Sequence, residues 1–332
     1  MTSVERPLFD TVAVLGLGLL GGSVALATRR FGVARRLVAA GRRRAPLERA
    51  RADGIVDEIG DARDIVADAD LVILATPVGS MPRVLEQAAR SLRPGTVVTD
   101  VGSVKACLVD TLPGLLPVGV EYIGSHPMSG SHLRGVEHAR SDLFEGACCV
   151  VTPHAGSDAD ACERVELFWR RLGARVVQRD PVRHDEEVAW TSHAPHVLAF
   201  AFAHALAAAP EGAGELAAGG FRDFTRIAAS DAELWGDILS ANRKALAGPL
   251  EAFGESLRAL ARAIEEGDGD AQEDYLTRAR STLTSVRELA FRDAPASGSA
   301  PAFENTKAPQ CARSGGENPE IQSRPSDGTP RK

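Results

Sequence analysis

From Thr11 onward the chain alternates short β-branched, apolar runs with longer segments whose apolar positions recur at helical spacing. Read as strands, the runs cover residues 11–15, 37–40, 71–75, 96–100, 121–124, 148–152 and 175–178. Helical segments are predicted to begin near Leu19, Pro46, Met81, Val104 and Asp158. The last is the clearest, because Cys162, Val165, Trp169 and Leu172 share one face and Gly173 stands where a C-cap glycine belongs. Such alternation predicts one parallel sheet wound by crossover helices. Strand signals stop after about Asp180, and a helical pattern continues to about Arg292. Within it Leu250, Phe253, Leu257, Leu260 and Ile264 form one apolar seam, and Leu276, Ala279, Leu283, Val286 and Ala290 form another. Two such seams pack as an antiparallel helix pair in a core, or bury against a second subunit. From Ala294 proline, glycine, serine and charge dominate around a lone aromatic, Phe303, which predicts a disordered tail. The expected organisation is therefore α/β: a doubly wound sheet over residues 1–180, an all-helical domain over 181–293 and a tail over 294–332.

Composition narrows the classes of function. The 332 residues are enough for two cores, and 44% hydrophobic with 25% charged residues is the balance of a soluble globular protein. A net charge of -7 argues against nucleic acid and anionic membrane as main partners. The apolar stretch over residues 194–209 carries His196 and His204 and is too short to span a bilayer. Five cysteines without metal-site spacing, including the adjacent pair Cys148 and Cys149 and a lone Cys311 in the tail, read as reduced thiols. With no signal-peptide pattern, the expected location is cytoplasmic.

Chemistry enters first at Gly16-Leu17-Gly18-Leu19-Leu20-Gly21, a GxGxxG turn between an apolar strand and an apolar helix. Gly16 permits the tight turn, Gly18 lets backbone amides approach a pyrophosphate, and Gly21 lets helix and strand pack closely. That context makes it a Rossmann-type dinucleotide site, with Leu19 and Leu20 at the helix start. The second strand runs into Gly41-Arg42-Arg43-Arg44, where an NAD site generally carries an acid for the ribose 2′-hydroxyl. Unopposed guanidiniums suit a 2′-phosphate, so Arg42 and Arg43 favour NADP over NAD. Thr76-Pro77 closes the next strand against the same ligand, or is an ordinary turn.

Two further segments carry reactive groups. Thr99-Asp100-Val101-Gly102-Ser103-Val104-Lys105 joins a strand to a helix, and Ser103 either caps that helix or hydrogen-bonds a substrate hydroxyl. Gly124-Ser125-His126-Pro127-Met128-Ser129-Gly130 follows a short β run and sets an imidazole near the crevice where a nicotinamide would lie. In the helical half Thr191-Ser192-His193-Ala194-Pro195-His196 and Gly220-Phe221-Arg222-Asp223-Phe224-Thr225-Arg226 stand out, followed by Asp231 and Trp235. Ser230-Asp231-Ala232-Glu233 reads as a capping box. A metal pair at His193 and His196 lacks a completing carboxylate and is rejected.

In this order, over roughly residues 12–264, the segments resemble the prephenate/arogenate dehydrogenase family of tyrosine biosynthesis. The resemblance implies that His126 accepts the proton of a ring 4-hydroxyl while hydride leaves that carbon for the nicotinamide, and that Ser103 orients the hydroxyl. It implies that His196 and Arg226 hold the substrate, prephenate or arogenate, with His193 beside them, and that ring carboxylate leaves as CO2. No metal is implied, and a homodimer through the helical half is. The Arg-rich end of the second strand departs from NAD-preferring relatives. A β-hydroxyacid dehydrogenase would need a lysine on the first long helix after the junction, and residues 184–206 contain none. A non-catalytic NADP-binding module would leave His126, Ser103, His196 and Arg226 without a purpose.

Overall fold

A computed structural model of the chain describes residues 6–130 and 133–290. The predicted tail, with Phe303 and Cys311, lies outside the described residues, as do Ser131 and His132. The first half begins with β1 (Phe9–Leu15), α1 (Leu19–Arg30), β2 (Ala34–Ala40), α2 (Arg44–Ala52), β3 (Glu58–Ile59), α3 (Ala62–Ile65) and β4 (Leu71–Leu74). It continues through α4 (Met81–Ala89), β5 (Val97–Asp100), α5 (Ala106–Thr111), β6 (Glu121–Tyr122), β7 (Gly124–Pro127), β8 (Cys148–Thr152), α6 (Ala159–Arg171) and β9 (Arg175–Gln178).

The strands build two sheets, where the alternation predicts one. Six parallel strands run in the order β3-β2-β1-β4-β5-β6, while β7-β8-β9 form a second sheet in which β7 is antiparallel to β8. The run predicted over 121–124 therefore divides. Glu121 and Tyr122 stay in the first sheet, and Gly124 to Pro127 turn into the second. Ile123 still donates its amide to Val98 O, so the chain leaves the first sheet only after that bond. Gly124 is required at this divide, because a Cβ there would sit 2.4 Å from Thr152 Oγ1.

Burial on both faces explains the near-continuous apolar strands. Val12, Val14, Leu37, Leu71 and Ile73 pack on one side with Val24 of α1 and Phe168 and Trp169 of α6. Ala13, Leu15, Val38, Val72 and Leu74 pack on the other with Met81 and Leu85 of α4. Each such side chain contributes about 1.5–3 kcal/mol by leaving water. Asp158 caps α6 by accepting from Ala161 N, and Gly173 closes it at a φ of 88°.

From Pro181 all described structure is helical: α7 (Pro181–Val188), α8 (Ala194–Ala205), α9 (Gly219–Thr225), α10 (Ala232–Ala241), α11 (Arg243–Glu265) and α12 (Gly269–Ala290). Asp180 caps α7 through Val182 N and Arg183 N. The start of α10 corrects the capping-box expectation, since Asp231 rather than Ser230 is the N-cap and accepts from Leu234 N. The reading of the two long seams as core is also corrected. Phe253, Leu257 and Ile264 on α11 and Leu276, Leu283 and Val286 on α12 are all exposed.

Candidate active site

The β1–α1 turn opens onto a cavity of about 690 Å³ lined by Gly16, Gly18, Arg42, Arg43, Thr76 and Pro77 among others. Gly16 has a φ of 107° and a Cβ there would lie 2.6 Å from Ala75 O. At Gly21 a Cβ would collide with Gly16 O at 1.9 Å, so helix and turn touch through glycine alone. Gly18 differs, because a Cβ on it would meet nothing within 4 Å. The open space above Gly18 and the first amides of α1, at Leu19 and Leu20, would suit an anion. Among the described residues Thr76 Oγ1 is buried without a hydrogen-bond partner, and it belongs to a residue of the cavity wall. A dinucleotide with phosphate oxygens and ribose hydroxyls suits both features.

Beyond the cofactor cavity the reactive groups are set by a buried polar lattice. Asp100, at the end of β5, accepts from Gly102 N at 2.8 Å, Tyr122 OH at 2.8 Å, Ser125 N at 3.1 Å and Lys105 Nζ. Lys105 also donates to Ser125 O at 2.8 Å, and Trp169 Nε1 to Ser125 Oγ at 3.0 Å. Both Asp100 and Lys105 are fully buried. An ion pair so placed costs desolvation that its own hydrogen bonds offset, and it fixes where β7 lies against β5. Ser103, half-buried, sits in the loop held at both ends by this pair. It does not cap α5, which starts at Ala106. The cap is the Asp185 carboxylate of α7, accepting from Lys105 N at 2.8 Å and Ala106 N at 3.0 Å.

Asp185 also anchors a chain of imidazoles. Its Oδ1 lies 2.8 Å from His184 Nδ1, and His184 Nε2 lies 2.9 Å from His126 Nδ1. With both rings neutral only one proton arrangement satisfies these contacts. His184 donates from Nδ1 to the carboxylate and accepts at Nε2 from His126 Nδ1–H, so His126 Nε2 carries a lone pair. Burial, then the neighbouring His184, Lys105 and His193, hold the His126 pKa well below its usual value. The ring is therefore held neutral, with Nε2 able to accept a proton.

His126 stands in β7 itself, not in a turn after a strand, so its register against Val150 of β8 fixes the side chain. Its partners come from the helical half. A π-helical turn over Ala189–His193 separates α7 from α8. In an unbroken α-helix His193 would point about 180° away from His184; one extra residue in the turn reduces this to about 80°. The same extra residue brings His196 from about 120° to about 20° of His184. His193 is fully buried, and its Nδ1 lies 2.9 Å from Asn242 Nδ2, which also donates to Asp185 O at 2.9 Å. Trp235 stands edge-on to His193 at 6.0 Å and stacks on His196 at 3.8 Å. His196 Nδ1 is 2.9 Å from Ser192 O, and burial and the nearby Arg226 guanidinium lower its pKa. Arg226 is exposed, at the start of a short turn after α9.

Two family models match consecutive parts of the chain. "Prephenate dehydrogenase, nucleotide-binding domain" covers residues 24–178, and "Prephenate dehydrogenase, dimerization domain" covers residues 180–278. The chain belongs to the prephenate dehydrogenase family. Among members of that family, the cyclohexadienyl dehydrogenase of Zymomonas mobilis is 34% identical over 79% of this chain and 91% of its own length. The prephenate dehydrogenase of Bacillus subtilis is 34% identical over 82% of this chain and 74% of its own. The crystal structure of prephenate dehydrogenase from Aquifex aeolicus with hydroxyphenyl propionate and NAD+ aligns with a TM-score of 0.77 at 30% identity, covering 83% of this chain and 98% of that one. A Synechocystis arogenate dehydrogenase aligns at 0.71 and 29%, covering 83% and 99%.

For this prephenate dehydrogenase family member, the structure brings His126, His193 and His196 into one neighbourhood, with Arg226 at its outer side. It sets Arg42, Arg43, Thr76 and Pro77 around the cofactor cavity. Sequence reasoning missed His184, Asp185 and Asn242. The adjacent His-Asp pair just inside a helix that opens with Asp180-Pro181 was the available signal.

Proposed function

We propose that this protein is a cytoplasmic, NADP-preferring prephenate dehydrogenase, converting prephenate to 4-hydroxyphenylpyruvate and CO2, with arogenate as a second substrate. The observation that carries the reading is the Asp185–His184–His126 chain, which leaves a basic imidazole nitrogen on a strand of the same half of the chain that holds the dinucleotide cavity. A nicotinamide held there supplies the hydride acceptor. His126 Nε2 takes the proton of the ring hydroxyl as that carbon becomes a carbonyl. Asp185 and His184 keep the tautomer and favour the positive charge that arrives on the ring. Ser103, from the loop pinned by Asp100 and Lys105, orients the hydroxyl. Arg226 and His196 receive the side-chain carboxylate, and His193 supports His196 through Trp235. Ring carboxylate is then lost, its bonding electrons completing the aromatic ring, and the oxygen regains a proton.

Arg42 and Arg43, with no acid lining the cavity, support NADP over NAD. The exposed faces of α11 and α12 support a homodimer formed by the helical region, with residues 1–180 binding cofactor and residues 181–293 completing the substrate site. Mixing purified protein with prephenate or arogenate and either cofactor, then following reduced nicotinamide absorbance, tests the assignment. Turnover with prephenate and NADP is expected to be fastest. Absence of turnover in all four combinations refutes it.

A further inference from the structure

The cofactor cavity is asymmetric in a way the GxGxxG motif does not require. One wall is the β2–α2 loop with Arg42 and Arg43; the facing wall is the segment after β4 and the first turns of α4, which contribute Ser80, Arg83 and Gln87. Three guanidiniums and no carboxylate line it, in a chain with 45 acidic and 38 basic residues. None of the three makes an ion pair among the described residues, whereas neighbouring Arg44 is paired with Glu48 at 2.8 Å and Arg49 with Asp53 at 3.5 Å. Like charges converging on one cavity repel one another unless an anion sits between them. A phosphate with three acceptor oxygens accepts guanidinium donors from two sides.

We propose that Arg83, on the wall opposite Arg42 and Arg43, is a further specificity-determining residue that closes on the 2′-phosphate of the adenosine ribose. This rests on the NADP reading above. Arg83 is placed by helix geometry rather than by the β2–α2 loop. Ser80 precedes α4, Met81 and Leu85 face the core, and Arg83 and Gln87 fall on the opposite, exposed side. Because Arg83 is exposed, its replacement leaves the core of α4 intact, and an unchanged Tm confirms folding.

Calorimetric titration with 2′,5′-ADP, 5′-ADP and inorganic phosphate tests the assignment. The wild-type protein is expected to bind 2′,5′-ADP at least about tenfold more tightly than 5′-ADP. Arg83→Gln should weaken 2′,5′-ADP by about tenfold and leave 5′-ADP within about twofold, with Arg83→Lys falling between. Unchanged 2′,5′-ADP affinity in Arg83→Gln overturns the proposal. So does equal weakening of both nucleotides, which would put the guanidinium on the adenine or the 5′-phosphate. Weakening of inorganic phosphate without weakening of 2′,5′-ADP also overturns it, as general anion attraction. If the wild-type protein itself fails to distinguish the two nucleotides, the NADP reading falls first and this assignment with it.

Discussion

The sheet region and the helical region bury their apolar residues to opposite degrees. Strands β1, β2 and β4 are sealed on both faces, with Val12, Val14, Leu37 and Leu71 at 0% exposure. The helices expose Trp190 at 57%, Leu257 at 52%, Leu276 at 59% and Leu283 at 49%. Phe202, Phe221 and Phe224 form an aromatic cluster and are likewise exposed. A region sealed on itself can hold a cofactor as a single chain. A region whose amphipathic faces remain open is built to meet another surface. His126 belongs to the first kind of region, and its partners His184 and Asp185 to the second.

That division predicts what each change should break. His126→Asn should lower kcat by about 10² to 10⁴, the usual worth of a general base, with cofactor affinity and oligomeric state unchanged. A loss below about tenfold would remove His126 as the base. Acid should act on the helical region through His193, as it does on the sheet region through buried His126. Burial, outweighing the Asp185 carboxylate, holds His193 at about 4. The unfolded chain therefore binds the proton more readily, so this stability is fully present above about pH 6.5 and is lost as pH falls toward 4. Its size is on the order of 3 kcal/mol. A Tm that stays flat from pH 7 to 4 would contradict it.

Asp185→Asn tests whether the two regions cooperate. It keeps the shape and removes the charge that orders the imidazoles, so kcat should fall on the order of 10² while KM changes little. Equal loss in Asp185→Asn and Asp185→Glu, together with a lowered Tm, would reduce the carboxylate to a helix cap. The smallest effect is expected from Leu257→Asp with Leu283→Asp. It should shift a dimer toward monomer at micromolar concentration, read by analytical ultracentrifugation, and cost the isolated chain little because both positions are exposed. A variant that keeps the wild-type sedimentation coefficient would place the interface elsewhere.

What could be read from the sequence follows the same line. The parallel core was legible because two-faced burial writes itself as continuous apolar runs, and the GxGxxG turn because backbone geometry demands glycine at Gly16 and Gly21. The second sheet was not. The β pattern is readable only over residues 121–124, and the divide at Gly124 depends on Thr152, 28 residues later in the chain. Two-residue β3 gave too little pattern to detect. The apolar seams of α11 and α12 were legible as helices, but periodicity cannot say whether a stripe meets its own chain or another. His184 and Asp185 escaped because their meaning lies in a contact with His126, 58 residues earlier, and in the rotation that one π turn gives the residues after it.

The Asp185 carboxylate has a mechanical consequence. It rivets the middle of α7 to the start of α5, gripping the first amides of α5 while bonding His184 on its own helix. Parting the two helices there would strand a buried anion. Any movement there must therefore carry α5 and α7 together as one piece, with the seam between them clenched.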